Sequence, residues 1–273
     1  MKFDYDATYF NPTDVLECGQ IFRFEPFREG YRVYSADKDC YVYTDGAKTV
    51  VESGDSDYFY NYFDLARDYS EIIRHARSFN VAALNDACEK AKGVRLLNQN
   101  REEMIYSFII SQNNNIPRIK GIISRICAGL GQKMPSPFGE FYAFPTSAAL
   151  ASEEPEYYKA LGAGYRDSFI SDTAKRIRAE GISQLENLGY DELKKQLLTY
   201  RGIGPKVADC ICLFGFGKRD AFPVDTWIEK LYREDFGGKL TDRKKINAYF
   251  TSLFGDYSGY VQQYLFYAKR SNL

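Results

Sequence analysis

From Ile21 to Val51 the chain is written in short alternating runs of aromatic and β-branched residues. Tyr31 and Val33, then Tyr41 and Tyr43, are separated by Arg28-Glu29-Gly30 and Thr44-Asp45-Gly46. Side chains that alternate along the chain fit a pleated strand, and polar, glycine-bearing breaks between short runs fit antiparallel turns. After Gly54 the period changes. Residues 68 to 78 and 81 to 92 repeat their apolar positions at helical spacing, and helical patterns dominate from Glu102 onward. The expected fold is therefore α+β, with an N-terminal antiparallel β-rich domain over residues 1 to 95 and a mostly helical domain over residues 96 to 273. Gly93 ends a helix-like stretch, and Asn98-Gln99-Asn100 makes a polar break at this boundary before Met104 opens an apolar run.

A chain of 273 residues, 45% hydrophobic, can bury a substantial core. Its 23 Tyr and 20 Phe are mostly core material, and they also offer flat faces on which a base could stack. The opening MKFDYDATYF carries Asp4 and Asp6 where a secretory leader would be basic and then apolar. The expectation is an intracellular, membrane-free protein, in the cytoplasm or nucleoid of a prokaryote or the nucleus of a eukaryote. Six cysteines without CxxC spacing are expected as free thiols, and a sole histidine, His75, argues against a zinc site. The net charge of −1 argues against a nucleic-acid binder until the chain is divided. Residues 1 to 95 hold 12 basic against 17 acidic residues, a balance of −5, and the remainder 24 against 20, a balance of +4. A polyanion would meet the second part, although scattered solvated charges could give the same asymmetry.

In that second part, DELKKQLLTY (191 to 200) places Leu193, Leu197 and Leu198 on one helical face before Arg201-Gly202-Ile203-Gly204-Pro205 interrupts it. Pro205 suits the first turn of a following helix whose apolar side is Val207, Ala208, Ile211 and Leu213-Phe214. Gly202 and Gly204 would let the backbone approach a partner, with the amides of the helix start offered to a phosphate; an ordinary helix corner is the alternative. Lys206 lies in that first turn, where the helix dipole disfavours an ammonium. With partial desolvation its pKa should fall, leaving a neutral amine able to attack an electrophilic carbon. Asp225 closes an apolar stretch and opens the next helix, as an N-cap alone or as a carboxylate facing developing positive charge.

LLTYRGIGPKVADCICLFGFGKRDAFPVDTWIEKLY, residues 197 to 232, closely resembles the signature of the helix-hairpin-helix (HhH-GPD) DNA glycosylase superfamily. The lysine in GPKVADCIC and the segment SQNNNIPRI (111 to 119) resemble its 8-oxoguanine DNA glycosylase/AP lyase branch. ECGQIFRF (17 to 24), GVRLLNQN (93 to 100), LGAGYRDSFI (161 to 170) and GYVQQYLFYA (259 to 268) extend the similarity over nearly the whole chain. The resemblance implies a bifunctional enzyme of base excision repair acting on double-stranded DNA containing 8-oxoguanine, and a monomer. Lys206 matches the Schiff-base lysine and Asp225 the catalytic aspartate. Cys210 matches a cysteine near the lysine, or is simply a buried thiol.

By the same resemblance Phe266 stacks on a flipped base, Gln262 bonds its Watson–Crick edge, and the carbonyl of Gly19 accepts from N7. Oxidation at C8 converts N7 to a donor, which gives that last contact its logic. Each has a plainer alternative: a turn glycine, and two residues lining a helix face. Asn113 matches the residue that fills the vacated stack, Arg118 and Arg166 those that contact the orphaned cytosine, and Tyr165 a wedge. At Trp227 the sequence departs from the histidine common in eukaryotic relatives. No four-cysteine cluster follows the hairpin, so no iron–sulfur cofactor is implied, and a potassium or sodium ion on hairpin carbonyls is the one candidate ion. The competing readings are a noncatalytic helix-hairpin-helix DNA-binding protein, which needs no amine at residue 206, and a glycosylase for alkylated purines, which works through the aspartate and water.

Overall fold

The computed structural model describes residues 1 to 271. The expected alternating region forms an antiparallel sheet of β1 (Lys2–Asp6), β2 (Phe24–Phe27), β3 (Gly30–Ser35), β4 (Lys38–Asp45) and β5 (Lys48–Ser53), in the order β1-β5-β4-β3-β2. Val33 lies opposite Cys40 and Val42 opposite Val51, so the period-two pattern puts all four on one buried face. Against it pack α1 (Pro12–Glu17) and α2 (Ser56–Tyr62), and Phe10, Val15, Phe59, Phe63 and Leu97 complete this core. β1, KFDYD, alternates as well, with Lys2, Asp4 and Asp6 exposed and Phe3 and Tyr5 packed on the edge of this core.

The helical part follows as α3 (Tyr69–Ser78), α4 (Ala82–Lys90), α5 (Arg101–Ser111) and α6 (Ile116–Leu130). A two-residue ribbon, β6 (Lys133–Met134) with β7 (Phe141–Tyr142), interrupts them. Then come α7 (Ser147–Leu150), α8 (Pro155–Ala160), α9 (Asp167–Glu180), α10 (Ser183–Glu186), α11 (Tyr190–Leu197) and α12 (Pro205–Phe214). The last helices are α13 (Thr226–Glu234), α14 (Arg243–Phe254) and α15 (Ser258–Ser271). The packing does not divide at residues 90 to 100. Ile72, Ile73, Leu84 and Cys88 of α3 and α4 share one core with Tyr264 and Leu265, because α4 lies along α15.

Buried arginines tie the two cores. Arg95, fully buried, donates to the carbonyls of Phe63 (2.9 Å), Tyr9 (3.0 Å), Arg67 (2.9 Å) and Asp64, and its guanidinium lies 3.9 Å from the Tyr69 ring centroid. Arg23 forms a 3.0 Å ion pair with Glu103 at the start of α5 and donates to the Tyr142 carbonyl at 2.8 Å. Glu103 also accepts the Ala36 amide at 2.8 Å, so one carboxylate joins sheet and helices. All six cysteines are free, as expected from their spacing, and all six are buried.

Candidate active site

The interruption expected between two helices is there. Leu193 and Leu197 bury the inner face of α11, but the helix ends at Leu197 and Leu198, its C-cap, is left 43% exposed. Gly202 has φ +83°, and a side-chain carbon there would overlap the Phe169 ring. This glycine is required by the protein's own packing. Gly204 differs: at φ −90° it caps α12 without a side chain, and the space around its would-be Cβ is open. With Pro205 next, the first-turn amides of α12 meet no capping side chain, the state in which a helix start accepts an anion.

Lys206 is half-buried and its ammonium sits 6.0 Å from the centroid of Phe108. Its pKa moves opposite to the sequence expectation. The sulfur of Cys210, one turn along, raises it most, burial opposes, and Asp225 adds a further upward push. Burial holds the Cys210 thiol up at about 11. Cys210 and Asp225 thus outweigh the burial that would lower the lysine pKa. Asp225 caps α13: its Oδ1 accepts the amides of Trp227 at 2.9 Å and Ile228 at 3.0 Å. The cap uses one oxygen, and Asp225 also lines the cleft with Lys206.

That cleft is walled by Gly19, Phe108, Cys210, Phe214, Pro223, Gln262, Gln263 and Phe266 beside the lysine and aspartate. Phe108 stacks on Phe214 at 5.5 Å to make an apolar floor. Gly19 has φ +86°, and a side chain there would press on Phe266 at 3.5 Å and Arg270 at 3.2 Å. Its flanks are pinned. Gln263 donates to the Cys18 carbonyl at 2.9 Å and Gln99 to the Gln20 carbonyl at 2.8 Å, while the Gln20 side chain bonds Arg95 O at 2.7 Å and the Leu97 amide at 3.0 Å. Among the described residues no donor is bonded to the carbonyl of Gly19 itself. Gln262 donates to Pro223 O at 3.4 Å, and its buried Oε1 has no partner. The free cavity is about 50 Å³.

A second group of expected residues converges at the end of α5. Asn113, exposed and at φ +43°, forms the turn into α6. Arg118 is exposed and donates to Gly162 O at 3.2 Å; Tyr165 is 53% exposed and its hydroxyl reaches Gln112 O at 3.3 Å. Arg166 is placed otherwise. It is 2% exposed, and its guanidinium donates to the carbonyls of Gln112, Asn113 (2.9 Å) and Ala163 (3.0 Å). It holds the turn that presents Asn113 and does not offer a free fork to solvent. Trp227 is half-buried, with the Lys230 ammonium 5.9 Å from its ring.

Several residues at the site gave no local signal in the sequence. Gln20, Gln99 and Gln263 pin Gly19 from segments far apart in the chain. Asp209 on α12 is 3% exposed and joins α11 and α14. No group of three or more His, Cys, Asp or Glu side chains able to hold a metal exists among the described residues. A monovalent ion at the hairpin would rest on main-chain carbonyls, of which that of Tyr200 already accepts the Ile203 amide at 3.1 Å. No helix among the described residues is long and apolar enough to cross a membrane.

The chain is similar to known proteins along most of its length. A family model described as 8-oxoguanine DNA glycosylase, N-terminal domain, matches residues 2–105, and one described as HhH-GPD superfamily base excision DNA repair protein matches residues 106–255. The N-glycosylase/DNA lyase of Saccharomyces cerevisiae is 31% identical over 64% of this chain and 56% of that protein, so the chain spans little more than half of it. The probable N-glycosylase/DNA lyase of Methanothermobacter thermautotrophicus is 31% identical over 77% of this chain and 74% of its own length. A crystal structure of Clostridium acetobutylicum 8-oxoguanine glycosylase/lyase, in complex with dsDNA containing cytosine opposite 8-oxoG, superposes with a TM-score of 0.91 at 34% identity. That match covers 100% of this chain and 98% of the other. With both family models in order and one fold shared from end to end, this chain belongs to the HhH-GPD superfamily of base excision DNA repair proteins.

Proposed function

We propose that the chain, as an intracellular monomer, excises 8-oxoguanine from duplex DNA and then cleaves the strand at the vacated sugar. The observation that carries this reading is the content of one cleft: an amine, a carboxylate, an uncommitted main-chain carbonyl and an unpartnered amide oxygen around an aromatic floor. The lesion turns out of the stack, because C1′ is inaccessible inside a duplex. Phe266 stacks on it, Gly19 O accepts the N7 proton that undamaged guanine lacks, and Gln262 Oε1 takes a donor of the Watson–Crick edge. Lys206 gives up a proton, and its Nζ forms a bond to C1′ as the glycosidic bond breaks and the base leaves with the electron pair and a proton. Asp225 faces the positive charge that builds on the sugar. The aminal then opens: the C1′–O4′ bond breaks as O4′ takes a proton and Nζ and C1′ form the Schiff base, which makes the C2′–H acidic, and loss of that proton expels the 3′ phosphate.

Borohydride tests the assignment. Duplex containing 8-oxoguanine should be trapped covalently by the parent protein, and Lys206→Gln should abolish trapping while duplex binding stays measurable. An adduct that survives Lys206→Gln means that another amine is the nucleophile. A parent that binds DNA without any excision is a binding protein, and one that excises alkylated purines without an adduct is a hydrolytic glycosylase.

A further inference from the structure

The carboxylate of Asp209 lies almost out of contact with water, three residues after Lys206, and the chemistry proposed above does not use it. Its Oδ1 accepts the Tyr190 hydroxyl and the Lys194 ammonium, each at 2.7 Å, both from α11. Its Oδ2 accepts Nδ2 of Asn247 on α14 at 3.3 Å, and the same Nδ2 donates to the carbonyl of Phe222 at 2.7 Å. Phe222 belongs to the irregular stretch of residues 215 to 225 that ends in Asp225. One buried acid is thus bonded to the first helix of the hairpin and, through one amide, to the irregular segment that leads to the cleft's own carboxylate.

An apolar residue would pack α12 against α11 at less cost, since burying a charge is unfavourable unless it is paired. Packing therefore does not explain the acid. What it supplies is direction: apolar surfaces tolerate repacking and small slides, whereas hydrogen bonds weaken steeply when bent or stretched. Lys206 is carried by α12 and Asp225 by the loop that Asn247 anchors, and these two elements have no side-chain ion pair of their own to set their spacing. We propose that Asp209 is a positioning residue, which through Asn247 sets the distance between the Lys206 amine and the Asp225 carboxylate. The inference rests on the catalytic roles given to those two residues above.

Asn247→Leu is the test, because it keeps the volume and removes the donor shared by Asp209 and Phe222. Single-turnover excision at saturating protein should fall by roughly ten- to hundredfold, the scale of a small misplacement of reacting groups. Affinity for the same duplex should stay within about threefold and Asn247→Gln, which restores a donor, should recover part of the rate. A parental rate for folded Asn247→Leu at saturation, or a loss lying wholly in binding, overturns the proposal. If that variant does not fold, Lys194→Met breaks the cluster from its partly exposed side, and a parental saturated rate there is equally fatal. Each variant is also run on duplex carrying a preformed abasic site. A parent inert on both substrates refutes the functional reading itself, whereas an active parent with unaffected variants refutes only the positioning role.

Discussion

Gly202 lies so close to the face of Phe169 that any side chain at residue 202 would enter the ring. Two nearby residues along the chain, Gly204 has open space. The two glycines of the hairpin therefore serve different ends, and alanine should separate them. Gly202→Ala meets both the ring and a positive φ, and should lower the stability of the fold by ~1 to 3 kcal/mol in denaturant titrations. Gly204→Ala should unfold at nearly the parental midpoint and yet bind duplex more weakly, with a smaller salt dependence. Equal duplex binding by Gly204→Ala would remove the hairpin from the backbone contact.

The Arg23–Glu103 pair joins sheet and helices with side chains only 7% and 3% exposed. Glu103→Ala leaves a buried guanidinium without its counter-charge and should cost ~3 to 5 kcal/mol by urea denaturation. Replacing both, Arg23→Met with Glu103→Leu, should cost much less than the single change. A single variant as stable as the double would show that the charge is not what matters there.

A raised lysine pKa has a kinetic sign. Because the Cys210 sulfur and Asp225 hold the Lys206 ammonium above its ordinary 10.5, the neutral amine is a small fraction at neutrality, and that fraction grows about tenfold per pH unit below the pKa. Single-turnover excision should climb from about pH 6 to about pH 9 without a plateau near 7. The linked stability runs the other way: it is present below the unfolded lysine value of about 10.4 and is lost as pH rises through the folded pKa. A flat rate profile would mean that bound DNA resets the ionisation of the amine.

Phe266 stands half-buried beside Gly19 at the cleft. Its replacement by alanine should reduce processing of lesion-bearing duplex by ~1 to 3 kcal/mol, the worth of a base–aromatic stack. Undamaged duplex should bind as before. Equal losses on both would make the ring a packing element.

Arg118 and Arg166 should now behave differently. Arg118 is exposed, and in the proposed reaction it meets the cytosine stranded opposite the lesion, so Arg118→Ala should narrow the preference for cytosine over adenine by roughly tenfold, about 1 to 3 kcal/mol. Arg166→Ala frees the carbonyls of Gln112 and Asn113 and should lower the melting temperature as well as the rate opposite every base. Excision opposite each base at fixed salt decides it. An unchanged preference in Arg118→Ala would leave that residue as a phosphate clamp.

The parts of this molecule that were legible in the sequence are those whose meaning is local. The alternating run from Ile21 to Val51 can satisfy water on one face and a core on the other only as paired strands. Pro205 and Asp225 announce helix starts by their own side-chain chemistry, and Lys206 and Asp225, singled out beside those starts, line one cleft. What stayed hidden depends on residues far apart in the chain. Nothing beside Arg166 tells that its donors are spent on the turn at Gln112, and nothing beside Asp209 points to Asn247. The ionisation of Lys206 belongs to the same class, because its sign is set by Asp225 across the cleft as well as by Cys210 one turn away.

The cleft is closed by Gly19, from the first turns of the chain, and by Gln262 and Phe266 on the last helix. Lys206 on α12 and Asp225 before α13 thus owe their surroundings to segments almost 250 residues apart, so that the cleft exists only when the turn at Gly19 and α15 have come together.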